Sequence, residues 1–599
     1  MAPSNITGAL ATPDAGALVA SSGCFGTLDD ALVASLAAEA TWVAVRAGEA
    51  LFEKGDAVDA MYVVARGRLR AVLGDGEGGR MGMEIGRGEA VGEIGILTGE
   101  PRRASVVAVR DSLLLKVDRA AFFRLVARSP DALTQLARTV VRRLETGPLP
   151  ERLVAIAVLP AAGDAHRRFA RGLSEALGAM GRVAHVPFDV ARGHDLGASG
   201  GHEWMDAIEA DHDFVVYEGD PGRSRWNEVC ARQADRLLWV AVPGGEPGEP
   251  AIDGPIEVRE ELVCLQPAGA AIALPMGPPV RGRTMARRHN VRAGHAGDHA
   301  RVARTLTGRA VGLVLSGGGA RAFAHVGVVR ALAELGIPVD HVAGTSMGGF
   351  IAAQCARGVP MDDVAASTRH AWITSKPFID LTVPLVSICR GRRLTRILTR
   401  CFGSDYIEDL FTPFFCVSTN LSRAHVSVHE RGQIWRAVRA SCSLPGVVAP
   451  ALEEGDLLLD GGLLDNLPIA PMRERSEGIL IACDVGHTFG GTLEEDHAEY
   501  PSAWAAAARM LNPWTSEARI PGIFQILSSC AMLGSAHRKA GTREDADLLI
   551  APALDGHSLF DWRSFDAIVA RGYEHAVRQV EAWLASHRTP PWSLPPRSA

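Results

Sequence analysis

A serine stands at the centre of a five-residue G-x-S-x-G sequence, G-T-S-M-G at residues 344–348. A strand-like apolar pattern precedes this motif and a helical pattern follows it. Gly344 and Gly348 permit a sharp turn that pushes the Ser346 hydroxyl clear of the backbone, where the amino end of the following helix favours developing negative charge. The pattern predicts a nucleophile elbow with Ser346 as the nucleophile.

A glycine-rich loop, G-G-G-A-R at residues 317–321, lies earlier in the chain between a strand pattern and a helical pattern. The backbone N–H groups of Gly317, Gly318 and Gly319 can approach a reacting oxygen closely and form an oxyanion hole in front of the helix. A dinucleotide-binding fingerprint is the alternative, but its third glycine position holds Ala322 and no second βαβ half with an acidic ribose ligand is evident. We therefore favour the oxyanion hole.

Asp460 closes an apolar strand pattern far downstream and is followed by Gly461 and Gly462. A carboxylate at a strand end can point at Ser346 and take its proton. Because an aspartate with its ordinary pKa near 4 is a weak base, such a pair requires a partly desolvated site. The Asp-Gly-Gly motif is therefore the predicted source of the general base.

Histidines and cysteines are the remaining candidates for chemistry. His325 and His341 lie near the motifs and would complete a Ser-His-Asp triad, but we predict structural roles for both. The ten cysteines are scattered, with no C-x-x-C pair and no Cys/His cluster at zinc spacing. We expect buried free thiols, no metal and no organic cofactor in the chemistry.

Composition narrows the class of protein further. The chain has 599 residues, 47% of them hydrophobic and 22% charged, which predicts several globular domains. A net charge of −7 provides no global basic field, so we expect no nucleic-acid partner. The first 25 residues do not resemble a secretory signal. No apolar run long enough to span a bilayer occurs, which predicts a cytoplasmic protein, peripheral at the inner face of the membrane if its substrate is a lipid.

The elements that must position these residues change character along the chain. Short strands and turns lead into a helical pattern, an α/β alternation follows, and a strand-loop-helix rhythm typical of a mainly parallel sheet begins near residue 311. The predicted segments are a flexible leader (1–23), a β-roll with helices (24–145), an α/β middle domain (150–285), a connector (286–308), a catalytic α/β domain (309–475), a helical extension (476–585) and a tail (586–599).

The glycine loop, the elbow and the Asp-Gly-Gly motif, in this order and spacing, resemble those of the patatin-like phospholipases. The resemblance implies a Ser-Asp dyad in a patatin-like α/β hydrolase domain, with Ser346 as nucleophile and Asp460 as general base. It also implies an oxyanion hole made by the amides of Gly318 and Gly319, helped by Arg321. Shorter matching stretches occur at residues 418–421, 440–446 and 465–468.

The amino-terminal region has its own resemblance. The stretches G-E-I-G-I-L at 92–97 and P-R-R-A-S-V at 101–106 are similar to the phosphate-binding cassette of cyclic-nucleotide-binding domains. The resemblance implies that Glu93 holds the ribose 2′-hydroxyl and that Arg102 pairs with the cyclic phosphate, as a guanidinium does through two parallel hydrogen bonds. Arg103 replaces a small residue and would crowd the pocket or add charge.

Taken together, the domains resemble the bacterial relatives of neuropathy target esterase, whose family hydrolyses lysophospholipids and phospholipids. The implied protein is a serine lipid-acyl hydrolase that meets phospholipid or lysophospholipid at a membrane surface, with a cyclic nucleotide as candidate regulator. Two alternatives stay open. One is a catalytically weak nucleotide-sensing scaffold, suggested by Ala322 where the family usually has glycine. The other is a hydrolase of proteins or small esters.

One further segment, residues 520–536, is apolar but too short and too polar to span a bilayer. We predict a helix beside the active site that receives acyl chains or contacts the membrane. A buried core helix is the alternative.

Overall fold

The computed structural model describes most of the chain and resolves it into two compact units. The units are Met1–Ala270 with Leu274–Gly308, and Ala271–Ala273 with Arg309–Ala599. The described residues are 14–22, 24–25, 28–72, 84–129, 133, 155–161, 163–191, 193, 204–205, 207–209, 211–222, 224–245, 252, 258–275, 283–486, 543–587 and 589–593.

The amino-terminal part of the first unit is an antiparallel β-roll framed by short helices. Its elements are α1 (Ala15–Ser21), α2 (Asp30–Glu39), β1 (Thr41–Val45), β2 (Ala50–Phe52), β3 (Ala60–Val72), β4 (Glu84–Ile85), β5 (Ala90–Val91), α3 (Glu93–Thr98), β6 (Ser105–Asp118) and α4 (Arg119–Arg128).

The two long strands β3 and β6 pair with each other and form the middle of the roll, in the sheet order β1-β6-β3-β4. Their inward side chains, Met61, Val63, Leu115 and Val117, pack with Phe122 of α4 in one core. Alternation of apolar side chains along both strands is what places them on one face. The predicted β-roll followed by helices is confirmed.

Helix α1 corrects the prediction of a flexible leader. Its amino end is capped by the Asp14 carboxylate, which accepts a hydrogen bond from the Gly16 amide at 2.8 Å. Leu18 and Val19 are buried in the β-roll core. This part of the leader is therefore ordered because its short apolar stretch has a core to join, while residues 1–13 lie outside the described residues.

The rest of the first unit is an α/β domain. Its elements are β7 (Ala155–Pro160), α5 (Ala165–Gly178), β8 (Val183–Val186), α6 (Phe188–Ala191), β9 (Phe214–Glu218), α7 (Arg225–Gln233), β10 (Arg236–Ala241), β11 (Arg259–Gln266), β12 (Arg287–Arg292) and α8 (Ala296–Leu306). The strands form one sheet in the order β12-β11-β10-β7-β9-β8, and all its pairs are parallel. Strands β7 and β10 are buried throughout, which explains why their sequences are nearly continuous runs of apolar residues.

The segment predicted as a connector, residues 286–308, is instead β12 and α8 of this domain. The strand was hidden because its sequence, R-R-H-N-V-R, has a single apolar residue. His289 is nevertheless buried there, and its Nε2 lies 2.6 Å from a carboxylate oxygen of Glu261 on the neighbouring strand. In this strand a buried polar pair occupies the position that apolar side chains occupy in the other strands.

The second unit holds the sheet and helices that surround the motifs. Its elements are β13 (Val311–Leu315), α9 (Ala324–Glu334), β14 (His341–Thr345), α10 (Met347–Ala356), α11 (Met361–Arg369), α12 (Arg392–Phe402), β15 (Phe414–Asn420), β16 (His425–His429), α13 (Ile434–Ser441), β17 (Ala451–Glu453), β18 (Asp456–Asp460), α14 (Ile469–Arg475), β19 (Ile479–Cys483), β20 (Leu548–Ile550) and α15 (Phe565–Ala585). Short 3-10 or π turns occupy Gly319–Phe323, His370–Thr374, Ile407–Asp409, Gly461–Leu463, Arg543–Asp545 and Trp562–Ser564.

The sheet of this unit runs β17-β18-β15-β14-β13-β19-β20, with β16 beside β15. Strands β15, β14, β13, β19 and β20 are parallel to one another, while β16, β17 and β18 are antiparallel additions. The predicted, mainly parallel sheet is confirmed. Because β13 and β14 end side by side, with Leu315 opposite Gly344, the loops that follow them meet at one edge.

The predicted catalytic boundary at residue 475 and the helical extension after it need correction. Strands β19 and β20 lie beyond that boundary and complete the sheet, with β19 directly beside β13. Only the last part, α15, is helical as expected among the described residues of 476–585. The segment 520–536 lies outside the described residues. Among the described residues, no helix is both long and apolar enough to cross a membrane.

Two glycines set the approach of α15 to α9. A Cβ added at Gly572 would lie 2.2 Å from the Ala324 carbonyl oxygen, and one added at Gly327 would lie 2.1 Å from the Val569 carbonyl oxygen. Gly572→Ala therefore forces the helices apart, and we expect it to lower the free energy of unfolding by about 1–3 kcal/mol. Chemical denaturation measures the change.

The matched control is Gly178→Ala, at the end of α5, where nothing lies within 4 Å of an added Cβ. This variant should be as stable as wild type or slightly more so, because alanine is the better helix former. Equal stabilities of the two variants would contradict the close packing of α9 and α15.

Candidate active site

Ser346 sits between β14 and α10 in a backbone conformation that few side-chain-bearing residues adopt, with φ 53° and ψ −122°. The turn is possible because its flanks are glycines. A Cβ at Gly344 would lie 2.6 Å from the Gly348 carbonyl carbon, and one at Gly348 would lie 2.4 Å from the Leu315 carbonyl oxygen. The Ser346 amide donates to the Ser441 hydroxyl at 2.7 Å, which holds the turn from the side. The predicted elbow geometry is present.

The Ser346 hydroxyl donates a hydrogen bond of 2.6 Å to Oδ2 of Asp460. The other carboxylate oxygen, Oδ1, accepts the Gly462 amide at 2.9 Å. Strand β18 brings Asp460 to this position by pairing it with Ser418 of β15, and the Thr419 hydroxyl donates to the Asp460 carbonyl. Both carboxylate oxygens are thereby oriented, one toward the serine and one toward the backbone.

The Asp460 carboxyl is buried, with 3% of its surface exposed. Burial raises its pKa to about 6, against the hydrogen bonds from Ser346 and Gly462 that lower it. An aspartate with this pKa accepts a proton far more readily near neutral pH than an exposed one does. The dry surroundings that the sequence required for a Ser-Asp pair are present.

The glycine loop lies against Ser346. A Cβ at Gly317 would be 3.4 Å from the Ser346 Cβ. The Gly317 amide already donates to the Asn466 carbonyl at 3.2 Å, and the Asn466 side-chain amide returns a bond to the Gly317 carbonyl. Within the part of the chain that the structure describes, the amides of Gly318 and Gly319 have no hydrogen-bond acceptor. These two donors are the ones available to a substrate oxygen.

Arg321 has a different position from the one its predicted role requires. Its buried guanidinium donates to the backbone carbonyls of Val485, Gly486 and His557, at 2.9 to 3.3 Å. The adjacent Ala320 amide donates to the Leu559 carbonyl at 2.8 Å. Arg321 therefore ties the glycine loop to later segments of the chain.

Ala322, where the family usually has glycine, is fully buried in the core of this unit. It is absent from the walls of the cleft around Ser346. The Ala322 methyl group therefore packs inward and leaves the space beside Ser346 open.

A small, mostly apolar cleft of about 60 Å³ adjoins Ser346 and Asp460. The indole rings of Trp372 and Trp562 stack with centroids 6.0 Å apart and planes at 10°, and Phe378 packs against both. The other walls are Gly317, Gly318, Gly319, Met347, Cys442, Leu444, Val447, Asn466, Leu559 and Phe560. This cleft places apolar and aromatic surface directly beside the Ser346 hydroxyl.

Both candidate histidines have positions that explain them structurally. His325 is completely buried, and its ring nitrogens contact the Ser316 carbonyl and the Cys483 sulfur. Burial lowers its pKa to about 4, so the ring is neutral. His341 packs edge-on against the Phe415 ring. In the described part of the chain, no cluster of His, Cys, Asp or Glu side chains could hold a metal ion.

In the β-roll, Glu93 opens α3 and Arg102 lies close by, both buried. The Arg102 guanidinium donates to the carbonyls of Gly92 and Ala60, at 3.1 and 2.7 Å, and stacks 4.0 Å above the Phe52 ring. A cyclic phosphate would have to compete with those carbonyls for the guanidinium.

Arg103 does not crowd this pocket. Its side chain is exposed and forms a surface ion pair with Glu100. An arginine in place of the family's small residue therefore leaves the interior of the cassette unchanged.

Three polar groups of the site had no role assigned from sequence. Ser441 receives the Ser346 amide, Asn466 holds the glycine loop, and Arg439 donates to the Ser443 hydroxyl and the Ala449 carbonyl next to the cleft. Ser441 and Asn466 lie in stretches that matched the family, which was the only signal for them. No sequence signal pointed to the aromatic walls of the cleft, because Trp372 and Trp562 are far apart in sequence.

The sequence profile described as Patatin-like phospholipase matches residues 313–473, and that of the Cyclic nucleotide-binding domain matches residues 42–129. The chain therefore contains a patatin-like phospholipase domain and, in its amino-terminal part, a cyclic nucleotide-binding domain.

Two relatives show how far the similarity extends. Patatin-like phospholipase domain-containing protein 6 of Homo sapiens is 31% identical over 621 residues, covering 90% of this chain and 44% of that protein. Lysophospholipase NTE1 of Coccidioides immitis (strain RS) is 31% identical over 636 residues, covering 89% of this chain and 40% of that protein. The chain thus spans less than half the length of these relatives.

The raised pKa of Asp460 predicts both a pH profile and a stability effect. Because only the carboxylate accepts a proton, kcat/KM should fall as the pH drops through about 6. A rise from 3.8 to about 6 also means that the buried charge destabilises the fold above pH 6, by about 3 kcal/mol. The free energy of unfolding of Asp460→Asn should therefore be about 1–3 kcal/mol higher than that of wild type at neutral pH.

The control for this prediction is the same comparison near pH 4. Wild-type Asp460 is then protonated in the folded state, so the advantage of Asp460→Asn should shrink. Denaturation curves at both pH values provide the measurement. Two results would contradict a desolvated Asp460 carboxylate. One is a fall of kcat/KM only near the ordinary aspartate pKa, and the other is an Asp460→Asn variant less stable than wild type at neutral pH.

Proposed function

We propose that this protein is a serine hydrolase of lysophospholipids and phospholipids, with Ser346 as the nucleophile and Asp460 as the general base. The observation that carries the proposal is the 2.6 Å hydrogen bond between the Ser346 hydroxyl and the Asp460 carboxylate, beside an apolar cleft. The substrate class is supported by the relatives, one of which is named a lysophospholipase.

In the first step, Asp460 Oδ2 takes the hydroxyl proton while Ser346 Oγ forms a bond to the ester carbonyl carbon. The carbonyl oxygen becomes an oxyanion, which the amides of Gly318 and Gly319 stabilise. In other hydrolases, removing one such donor costs about 3–4 kcal/mol of transition-state stabilisation. The tetrahedral intermediate then expels the glycerol alcohol, to which Asp460 returns the proton.

In the second step, water replaces the alcohol. Asp460 takes a proton from the water, the hydroxide attacks the acyl carbonyl, and the fatty acid departs as Ser346 Oγ regains its proton. Asp460 ends each half-reaction as it began. Because burial raises its pKa to about 6, Asp460 is a stronger base for both proton transfers than an exposed aspartate would be.

The apolar cleft is the proposed site for the acyl chain. Its aromatic walls, Trp372, Phe378 and Trp562, offer an apolar surface directly beside Ser346. A hydrolase of proteins would be expected to present polar groups for a peptide backbone, and these walls present few. The inactive-scaffold alternative finds no support in Ala322, whose methyl group packs in the core.

The deciding experiment is hydrolysis of lysophosphatidylcholine by wild type, Ser346→Ala, Asp460→Asn and the double variant. Each single variant should lose roughly 10⁴-fold in kcat, and the double variant should lose no more, because the two residues act as one unit. Circular dichroism confirms folding. Substantial activity in both single variants would remove the dyad, and hydrolysis of short esters alone would favour the small-ester alternative.

We further infer that a cyclic nucleotide is a candidate regulator, held by Glu93 and Arg102. The β-roll is joined to the α/β domain through buried charges. Arg110 of β6 donates to the Gln233 carbonyl at 2.8 Å and pairs with the Glu209 carboxylate at 3.2 Å. Asp235 lies close to both Arg110 and Arg68.

An apolar contact reinforces this junction. Val109, the neighbour of Arg110 on the β-roll strand, is part of the hydrophobic core of the α/β domain. Breaking a buried ion pair is strongly destabilising, so the two domains are expected to move together. A ligand that favours one arrangement of the β-roll would therefore bias the α/β domain as well.

Isothermal titration of cyclic AMP and cyclic GMP tests this regulation. We expect wild type and Arg103→Ala to bind, because Arg103 is exposed, and Arg102→Ala to lose binding. A serine-reactive inhibitor on Ser346 should then change the nucleotide affinity, by roughly 5- to 150-fold if coupling is typical. No binding to wild type would leave the β-roll a structural module. Binding that the inhibitor does not alter would exclude equilibrium coupling to that state.

A further inference from the structure

Residues 379–386, I-D-L-T-V-P-L-V, expose an unusual amount of apolar surface, and we name them the apolar tip. Leu385 is 88% exposed, Val383 72% and Leu381 67%, and two further apolar side chains of the tip, Ile379 and Val386, are also more than half exposed. Scattered single exposures are ordinary on protein surfaces, whereas a contiguous group marks a surface that another apolar phase covers.

The apolar tip has a fixed base. Leu381 pairs with Cys389 in an antiparallel bridge, and the Thr382 amide donates to the Ile388 carbonyl at 2.9 Å. At the end of the tip, the Leu385 amide donates to the Val383 carbonyl at 2.8 Å, which closes a tight turn. The exposed side chains are therefore presented on a hairpin whose backbone is hydrogen-bonded.

Both ends of this hairpin join the walls of the cleft. Phe378, which directly precedes the tip, lines the cleft. On the other side, the Cys389 amide donates to the carbonyl of Val447, another wall residue, at 2.9 Å, and the Cys389 thiol donates to the Phe378 carbonyl. The apolar tip is thus continuous with the apolar surface that leads to Ser346.

Exposed basic residues surround the hairpin. Lys376 precedes it and Arg390 follows it, and both side chains are exposed. Helix α12 comes next, with Leu394, Ile397 and Leu398 buried and with Arg392 and Arg396 exposed. Asp380, the acid within the tip itself, is half-buried and accepts the Arg393 amide at 2.9 Å. An apolar tip with a basic border complements the acyl boundary and the anionic headgroups of a lipid surface.

We propose that the apolar tip inserts into the lipid surface and places the mouth of the cleft at the membrane, so that an acyl chain passes from the bilayer to Ser346 along continuous apolar surface. The proposal rests on the lipid-hydrolase function for its purpose, but the insertion itself is a separate property of the hairpin. Moving these exposed apolar side chains from water into the lipid would be favourable, which accounts for a hairpin that holds them outward.

The test compares wild type with the double variant Val383→Ser/Leu385→Ser in the full chain. Co-sedimentation with phosphatidylcholine vesicles, with and without phosphatidylglycerol, measures partitioning. Loss of two inserted side chains should weaken it about 10- to 100-fold. Wild type should bind the anionic vesicles more tightly, and salt should reduce that difference. Neither residue lines the cleft, so hydrolysis of a water-soluble short-chain ester should be unchanged.

Two controls separate insertion from general effects of substitution. Val383→Ile/Leu385→Met keeps the tip apolar and should bind vesicles like wild type. Val190→Ser removes a side chain that is 53% exposed in the other unit, and it should also bind like wild type. Thermal unfolding should be the same for all variants, because the substituted side chains are exposed.

Unchanged vesicle binding in Val383→Ser/Leu385→Ser, or no vesicle binding by wild type, would overturn the proposal. A change in sedimentation coefficient without a change in vesicle binding would also overturn it, and would identify the tip as a contact between two copies of the chain. Lost vesicle binding in a protein whose wild type hydrolyses no ester would retain the insertion and reject the hydrolase function.

Discussion

The hydrogen bond between the Ser346 hydroxyl and the Asp460 carboxylate is the constraint that the surrounding strands and loops of the second unit must satisfy. A carboxylate is a useful base for a serine only if it is dry, and a dry carboxylate destabilises the fold. The strained backbone of Ser346 adds a second cost. The hydrophobic core around the site holds the buried carboxylate and the strained serine in place. Functional sites in other proteins commonly combine local instability with stable packing elsewhere.

Assembling the candidate site around this hydrogen bond requires three distant parts of the chain to meet. The glycine loop and the elbow arrive together because β13 and β14 are adjacent and parallel, so that their carboxyl ends share one edge. Asp460 arrives from the antiparallel strand β18, across β15. The segments after residue 483 complete the arrangement, because the carbonyls that bind Arg321 and Ala320 fix the conformation of the glycine loop.

The first unit follows a different principle, in which buried charges join two domains. Glu209 accepts bonds from the Tyr217 hydroxyl and the Gln233 side chain as well as pairing with Arg110. Asp235 binds the Ala155 amide at the start of β7. Because these acids are satisfied within the α/β domain and paired with arginines of the β-roll, the junction is specific in geometry as well as stable.

The sequence alone predicted the candidate site residues, because each has a local pattern: glycines flanking a serine, a glycine-rich loop before a helix, and an aspartate at a strand end. It also predicted the β-roll and the parallel sheets, since their apolar periodicities are local. Only the tertiary structure showed that residues 286–308 form a strand and a helix, because His289 and Glu261 satisfy each other across strands. The tertiary structure also showed that Trp372 stacks on Trp562, that Arg321 donates to carbonyls of later segments, and that burial raises the pKa of Asp460. Each of these depends on residues that are distant in the chain, so no local sequence pattern could predict it.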